Sequence, residues 1–244
     1  MTIDIESLIE RIASLPPDWH GAGTMSGTVI KTMARHAEQV GQIYHSAETG
    51  SGKTTLLFSQ VSRDHTVFAL NCGCSISRVK NCELFNPKTV TYIEGPSQVT
   101  LPSHVFNDNL QIALIDGPHA YPFPDLEYYY LYPRICEGGL LLIDDINIPT
   151  IERMFEIIKA DDMFELVEIV ECTAFFRRTA APLFDPLGDD WGLQGFNRPF
   201  HDYAMARNRT SSSVRQLTRL IPPAVKNVVP QRLKTRILNR FTHS

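Results

Sequence analysis

The spacing of apolar residues changes character twice along this chain. Residues 3–14 place Ile5, Leu8, Ile9 and Ile12 on one face of a helix that Pro16-Pro17 stop, and a second helix is expected over about 25–39. From Ile43 the pattern shortens to β-type runs at 43–47, 66–70, 90–93, 110–115 and 140–143, with helix-compatible segments at 53–61, 75–84 and 124–132 between them. Strands alternating with helices predict parallel βαβ units, and Leu140-Leu-Leu-Ile143 is the unbroken apolar run of a strand covered on both faces. After a helix near 151–159 the habit changes again. Runs at 164–170 and 173–177 are separated by too few residues for a crossover helix, so they should pair antiparallel as an edge hairpin. The expected fold is α/β: a doubly wound, mostly parallel, seven-stranded sheet with an antiparallel edge hairpin, N-terminal helices and a helical C-terminal tail.

At 244 residues and 43% hydrophobic content the chain can bury one substantial core. The expected division is an N-terminal helical cap over 1–40, a central domain over 41–180, and a loop-rich region with a basic tail over 181–244. Pro182, Pro186, Gly188, Gly192 and Gly195 surround Trp191, and the helical pattern that returns at Ser213 is broken at Pro222-Pro223 and Pro230. Nine of the 23 basic residues follow Asp202 and none of the 27 acidic ones do. Such a tail suits an anionic membrane surface, nucleic acid, or the acidic body of its own or a neighbouring subunit. No nucleic-acid partner is expected; peripheral membrane contact through the tail stays open.

The five cysteines form neither a disulfide framework nor a double Cys-x-x-Cys zinc site, so free thiols are expected. The acidic, amphipathic start lacks the pattern of a secretion signal, and no run is long enough to span a membrane, so a cytoplasmic location is expected.

Ligands of an open parallel sheet collect at the carboxyl ends of its strands, and here those ends are polar. The five runs finish at Glu48-Thr-Gly-Ser-Gly52, Asn71, Glu94-Gly-Pro-Ser97, Asp116-Gly-Pro-His119 and Asp144-Asp145. The first loop has two readings. Ala47 to Thr54 fits a relaxed phosphate loop, Ala-x4-Gly-Lys-Thr, with Lys53 on the phosphates and Asp116 or Asp144 on magnesium. Read from Glu48, it is the acid-led Glu-x-Gly-x-Gly turn of a methyl-donor site. Against the phosphate loop, Ala47 replaces its first glycine, Glu48 would set a negative charge beside the phosphates, and an NTPase needs no polar residue closing every strand.

Glu48-x-Gly50-x-Gly52, Ile115-Asp-Gly-Pro-His119 and Gly138-Gly-Leu-Leu-Leu-Ile-Asp-Asp145 together resemble the class I methyltransferases that use S-adenosylmethionine, a Rossmann-like fold. The resemblance covers roughly residues 40–180, and is nearest to the metal-dependent sugar O-methyltransferases and the cephalosporin-hydroxylase-like proteins. It implies that Glu48, Thr49, Gly50, Ser51 and Gly52 pack against the methionine part of the cofactor, with the Asp116-Gly117 turn also against it. It places Asn71 at the ribose hydroxyls, where the family normally has an acid, and Ser97 at the adenine edge.

The resemblance further implies that Asp116, Asp144 and Asp145 hold a divalent metal, magnesium above all, since three carboxylates suit an octahedral cation. If Asp144 and Asp145 simply alternated across their strand, only one would enter the crevice; a turn beginning at the strand end would let both converge. Transfer to a hydroxyl needs a base, and the slot where related sugar enzymes carry an acid is Pro118, which leaves His119. His20, in a glycine-rich segment, is a second candidate. Tyr121 and Trp191 are candidates for the acceptor pocket, whereas Tyr128 to Tyr132 are expected in the core or a dimer interface. The function expected is O-methylation of a sugar or glycoside, or another small-molecule or glycan acceptor, by a homodimer.

Overall fold

The structure, a computed structural model, describes residues 4–16, 19, 25–184 and 191–207. The chain divides into two compact units, Met1–Asp185 and Pro186–Ser244. The first opens with α1 (Ile5–Ala13) and α2 (Gly27–Val40). Asp4 caps α1 by accepting from Glu6 N, Ser26 caps α2 by accepting from Val29 N, and Gly41, at φ +85°, ends α2 in a conformation that favours glycine.

Strands and helices then alternate: β1 (Ile43–Thr49), α3 (Lys53–Val61), β2 (Ser62–Ala69), α4 (Ser75–Lys80), β3 (Val90–Glu94), α5 (Ser97–Ser103), β4 (Leu110–Ile115), α6 (Phe123–Leu131), β5 (Ile135–Ile143), α7 (Pro149–Lys159), β6 (Phe164–Val170) and β7 (Thr173–Arg178). The seven strands lie in the order β3-β2-β1-β4-β5-β7-β6. β1 to β5 are parallel; β7 pairs antiparallel with both β5 and β6, which is the edge hairpin the sequence predicts.

The period of two along the central strands separates two cores. Ile112, Leu114, Leu140, Leu142 and Phe175 face α1, α2 and α3, whereas Ala113, Ile115, Leu141, Ile143 and Phe176 face the other layer with Leu101, Leu131 and Met154. The N-terminal helices contribute Leu8, Ile12, Val29, Ile30 and Met33 to the first core, so they pack directly on the sheet.

Two strands start earlier than expected. β2 starts at Ser62, at the C-terminus of α3, and β5 starts at Ile135 and absorbs Gly138, at φ +78°, beside a register shift against β4. α5 is a helix where none was expected, because it is short and carries Pro102 near its end. Tyr129 is 63% exposed rather than in the core; Tyr128 and Tyr132 do stack, with ring centroids 4.8 Å apart.

In the second unit residues 198–207 are helical, and Trp191 packs its ring on His201 and Phe200. His20, the loop Gly188-Asp-Asp190 and the basic tail beyond Arg207 lie outside the described residues. Among the described residues no helix is long and apolar enough to cross a membrane. Cys72, Cys74, Cys82, Cys136 and Cys172 are free thiols.

Candidate active site

A cavity of about 520 Å³ opens at the carboxyl ends of the parallel strands. Its wall includes Gly50, Ser51 and Gly52 after β1, Leu70 and Cys72 after β2, Gly95 and Ser97 after β3, Asp116 to His119 after β4, and Asp144 and Asp145 after β5. Every strand end singled out in the sequence therefore supplies at least one neighbour to the same space. Met25 and Ser26 just before α2 and Val29 within it close it, and Ser26 Oγ donates to Glu171 Oε1 (2.8 Å), tying that helix's cap to the β6–β7 turn.

The first loop is built around Glu48, which is fully buried and does not line the cavity. Its carboxylate accepts from Thr54 Oγ1 (2.6 Å) and Thr55 Oγ1, and lies 3.2 Å from His65 Nε2. Glu48 thus fastens the turn to the start of α3 from beneath. Thr49, also absent from the wall, accepts from Asp116 N (3.0 Å) and donates to Glu127 Oε2 (2.8 Å), joining the ends of β1 and β4. Gly50 crosses so close to β4, at φ +88°, that a Cβ there would stand 2.2 Å from Asp116 O. The same bonds leave the phosphate-loop reading without support: Lys53 Nζ donates to Leu15 O (2.9 Å) and Thr54 is committed to Glu48.

After β5 the chain turns at once. Asp145 takes a left-handed backbone, φ +55°, and both Asp144 and Asp145 reach the cavity, so the strict alternation that would have hidden one is broken. Asp116, His119 and Asp145 offer ligand atoms all within 4.8 Å of one another, with His119 Nε2 3.2 Å from Asp145 Oδ2. Asp144 does not join that group. Its Oδ1 accepts from Thr173 Oγ1 (2.5 Å), and it clusters with Asp145 and Cys172 instead. The expected carboxylate triplet is therefore two overlapping donor groups that share Asp145.

The negative charge is dense. Burial pushes the Asp116 carboxyl well above the usual range, reinforced by Asp144, Glu48, Asp145 and Glu127; burial also raises Asp144. Burial, with Asp144 and Asp145 alongside, lifts the Cys172 thiol to about 11. A divalent cation would relieve this repulsion, and the donor set fits one.

Other expected site residues lie elsewhere. Asn71 is exposed and outside the wall; its side chain accepts from Ser77 N (3.3 Å) and donates to Ser77 Oγ (3.0 Å), holding the first turn of α4. Tyr121 is 73% exposed and is not on the wall, and Trp191 belongs to the second unit.

Two contributors are absent from the sequence expectations. The β6–β7 turn brings Glu171, Cys172 and Thr173 to the wall, which depends on pairing no local pattern displays. Glu127, fully buried, enters from α6. It did leave a signal: Pro124, Glu127 and Leu131 are the buried stripe of α6, and a charge on an apolar stripe calls for a reason.

Residues 47–146 match the family model described as a methyltransferase domain. No curated protein matches the sequence. Solved structures share the fold. A protein assigned as a caffeoyl-CoA O-methyltransferase from Staphylococcus aureus superposes with a TM-score of 0.57 at 13% identity, over 72% of this chain and 92% of the other. One assigned as an O-methyltransferase from Klebsiella pneumoniae gives 0.56 at 15% identity, over 72% and 90%. The O-methyltransferase TomG from Streptomyces achromogenes, in complex with S-adenosylmethionine, gives 0.54 at 13% identity, over 71% and 90%. The order and direction of the seven strands are the fold of these solved structures, and residues 47–146 are similar to a methyltransferase domain.

Proposed function

We propose that this protein transfers a methyl group from S-adenosylmethionine to a hydroxyl of a small-molecule acceptor, specifically a sugar or glycoside. The observation that carries the reading is the convergence of Asp116, His119 and Asp145 on a cavity walled by the Gly50-Ser-Gly52 loop. S-adenosylmethionine, which TomG binds, supplies an electrophilic methyl, so the protein has to align the acceptor oxygen and remove its proton. The unpartnered buried oxygens of Ser97 and Glu127 on the wall give a polar cofactor somewhere to bond.

His119 is the base in this reading. Asp145 holds its Nε2 edge and stabilises the imidazolium as the proton arrives, and Nδ1 is the nitrogen left to take that proton. Asp116 and Asp145 would hold a divalent cation, magnesium first among them, with His119 at its margin and Asp144 joining through the donor group that shares Asp145; when bound, the cation would bind acceptor hydroxyls and lower the pKa of the one attacked. A vicinal diol is the group such a carboxylate-held cation binds in pairs, which favours a carbohydrate. The reading also takes the enzyme as a cytoplasmic homodimer, on its free thiols and its exposed Tyr121 and Tyr129.

Calorimetric titration with S-adenosylhomocysteine and with ATP, followed by mass spectrometry of products from a panel of sugars, glycosides and phenols, tests the reading. Binding of the first ligand and a +14 Da sugar product are expected. Binding of ATP alone would overturn it, and methylation of phenols alone would remove the sugar.

A further inference from the structure

Of the five thiols, Cys72 and Cys74 are the exposed pair, and they stand on one tight turn after β2. The turn is closed by its own hydrogen bonds. Cys74 N donates to Asn71 O (3.4 Å), Ser75 N donates to Cys72 O, and Ser75 Oγ donates to Leu70 O (3.3 Å). Gly73, at φ +57° and ψ +21°, has the dihedrals of a left-handed helical turn, which sets the Cα atoms of Cys72 and Cys74 about 5.5 Å apart. Two cysteines can bridge when those atoms are roughly 4.4–6.8 Å apart. Cys74 is itself left-handed, at φ +64° and ψ +24°. Glycine or asparagine would hold that backbone more easily; a cysteine there costs on the order of 1 kcal/mol, which points to a use for its sulfur. The two thiols differ in one respect: Cys72 lines the cavity, as Leu70 and Ser75 do, and Cys74 does not.

We propose that Cys72 and Cys74 are a thiol-oxidation site, which peroxide converts into a reversible disulfide, and that the bridged form binds the cavity's ligand less tightly. One sulfur attacks a peroxide oxygen and becomes a sulfenic acid as the O–O bond breaks and water leaves. The second sulfur displaces the hydroxyl, forms the S–S bond and releases a second water. The two thiols lose two electrons and the peroxide gains them. A bridge over one residue, exposed to solvent, is of the readily reduced kind, so a dithiol reverses it. Its effect on the cavity follows from position: bridging turns the Cys72 sulfur from the wall toward Cys74. The turn cannot follow as a whole, because Asn71 fastens it to the Ser77 backbone and hydroxyl on α4. By reciprocity, a ligand that prefers the reduced form shifts the equilibrium toward the thiols by the same factor. The effect on ligand rests on S-adenosylmethionine being the cofactor; the bridge itself does not.

The full chain is treated with hydrogen peroxide, denatured, alkylated and cleaved with trypsin, which releases residues 64–78 as one peptide carrying both thiols. That peptide should be unalkylated and about 2 Da lighter than its reduced form, the two hydrogens lost, with Cys82, Cys136 and Cys172 alkylated and dithiothreitol restoring both thiols. Oxygen-bearing sulfurs in place of the bridge, or alkylation of both Cys72 and Cys74, would overturn it. Calorimetry with S-adenosylhomocysteine reads the consequence: the affinity of the oxidised chain should fall about tenfold and return on reduction. Cys74→Asn removes one thiol, and asparagine tolerates the left-handed backbone. It should therefore fold, bind as the reduced wild type does, and keep that affinity through the same peroxide treatment. Equal affinity of the bridged and reduced wild type, or an equal loss in Cys74→Asn, would overturn the link between bridge and cavity. If the reduced wild type binds no S-adenosylhomocysteine, the cofactor reading fails, and the peptide mass still decides the bridge.

Discussion

Asp145 reaches His119, with Oδ2 3.2 Å from Nε2, from a left-handed backbone at φ +55°. A residue other than glycine held there stores on the order of 1 kcal/mol, and asparagine and aspartate tolerate it best. The contact is thus made at a strained position immediately beyond β5, which fits a functional demand better than a structural one.

His119→Ala should lower kcat by roughly 10²- to 10⁴-fold, the range of a lost general base, while the Kd for S-adenosylhomocysteine changes less than about twofold. Asp145→Asn keeps the backbone preference, so it should fold normally yet lose most of the turnover. Steady-state kinetics against calorimetry separates the two effects. Unchanged turnover in His119→Ala would disqualify it as the base.

Cation binding is checked without turnover. Asp144, Glu48, Asp145 and Glu127 all bear on the buried Asp116 carboxyl, so a divalent cation bound there should raise Tm with the logarithm of its concentration above Kd. Magnesium at about 100 times its Kd corresponds to about 2.7 kcal/mol. The rise should vanish in Asp145→Asn, and chelator should abolish activity in the wild type. Full activity with chelator would remove the metal from the mechanism.

Much of this site is legible in the sequence because strand ends are legible. The runs closing at Glu48, Asn71, Ser97, Asp116 and Asp144 lie at or within a few residues of the strand ends in the structure, and a parallel sheet gathers such ends whatever their spacing in the chain. Side-chain direction is harder to read. Glu48 and Asn71 occupy their expected positions but turn to Thr54, Thr55 and His65 in one case and to Ser77 in the other, partners set by local turn geometry. Glu127 was hidden by its neighbours: Tyr128 to Tyr132 made α6 read as core, and the carboxylate occupies the same buried face.

Glu48 is expected to act on stability before it acts on chemistry. Glu48→Ala would strand the hydroxyls of Thr54 and Thr55 in a dry interior, at about 1–3 kcal/mol for each group left unpaired, less whatever the site recovers by repacking. A net loss of about 3 kcal/mol in chemical denaturation is expected, together with loss of cofactor binding as the loop relaxes. Glu48→Gln should cost less, since the amide oxygen can still accept. An undiminished unfolding free energy in Glu48→Ala would show that the clamp does not hold the loop.

Gly50→Ala should be as damaging, for a steric reason. The added Cβ meets Asp116 O at 2.2 Å and the backbone sits at φ +88°, so either β1 and β4 part or the loop turns over. Both displace Asp116. Loss of the magnesium-dependent rise in Tm, alongside a lower Tm, is the expected signature; a variant with wild-type Tm and metal response would mean that the close approach is dispensable.

Glu127 should reveal its role through pH. Burial raises its carboxyl to about 7 from an ordinary 4.5, opposed by the nearby Ser97 hydroxyl and by the hydrogen bond from Thr49. Below pH 4.5 the group is protonated in both folded and unfolded chains and contributes nothing to stability. As pH rises from 4.5 to 7 the unfolded chain releases the proton while the folded one retains it, so stability falls, and above 7 the cost is complete at about 3 kcal/mol. Glu127→Gln cannot ionise. Without ligand it should therefore melt higher than the wild type at pH 8, by on the order of 5 °C, with the difference closing toward pH 4.5. Thermal melts of both proteins at pH 4.5, 6 and 8 provide the measurement. A variant less stable than the wild type at every pH would mean that ionising the buried carboxylate costs the fold nothing.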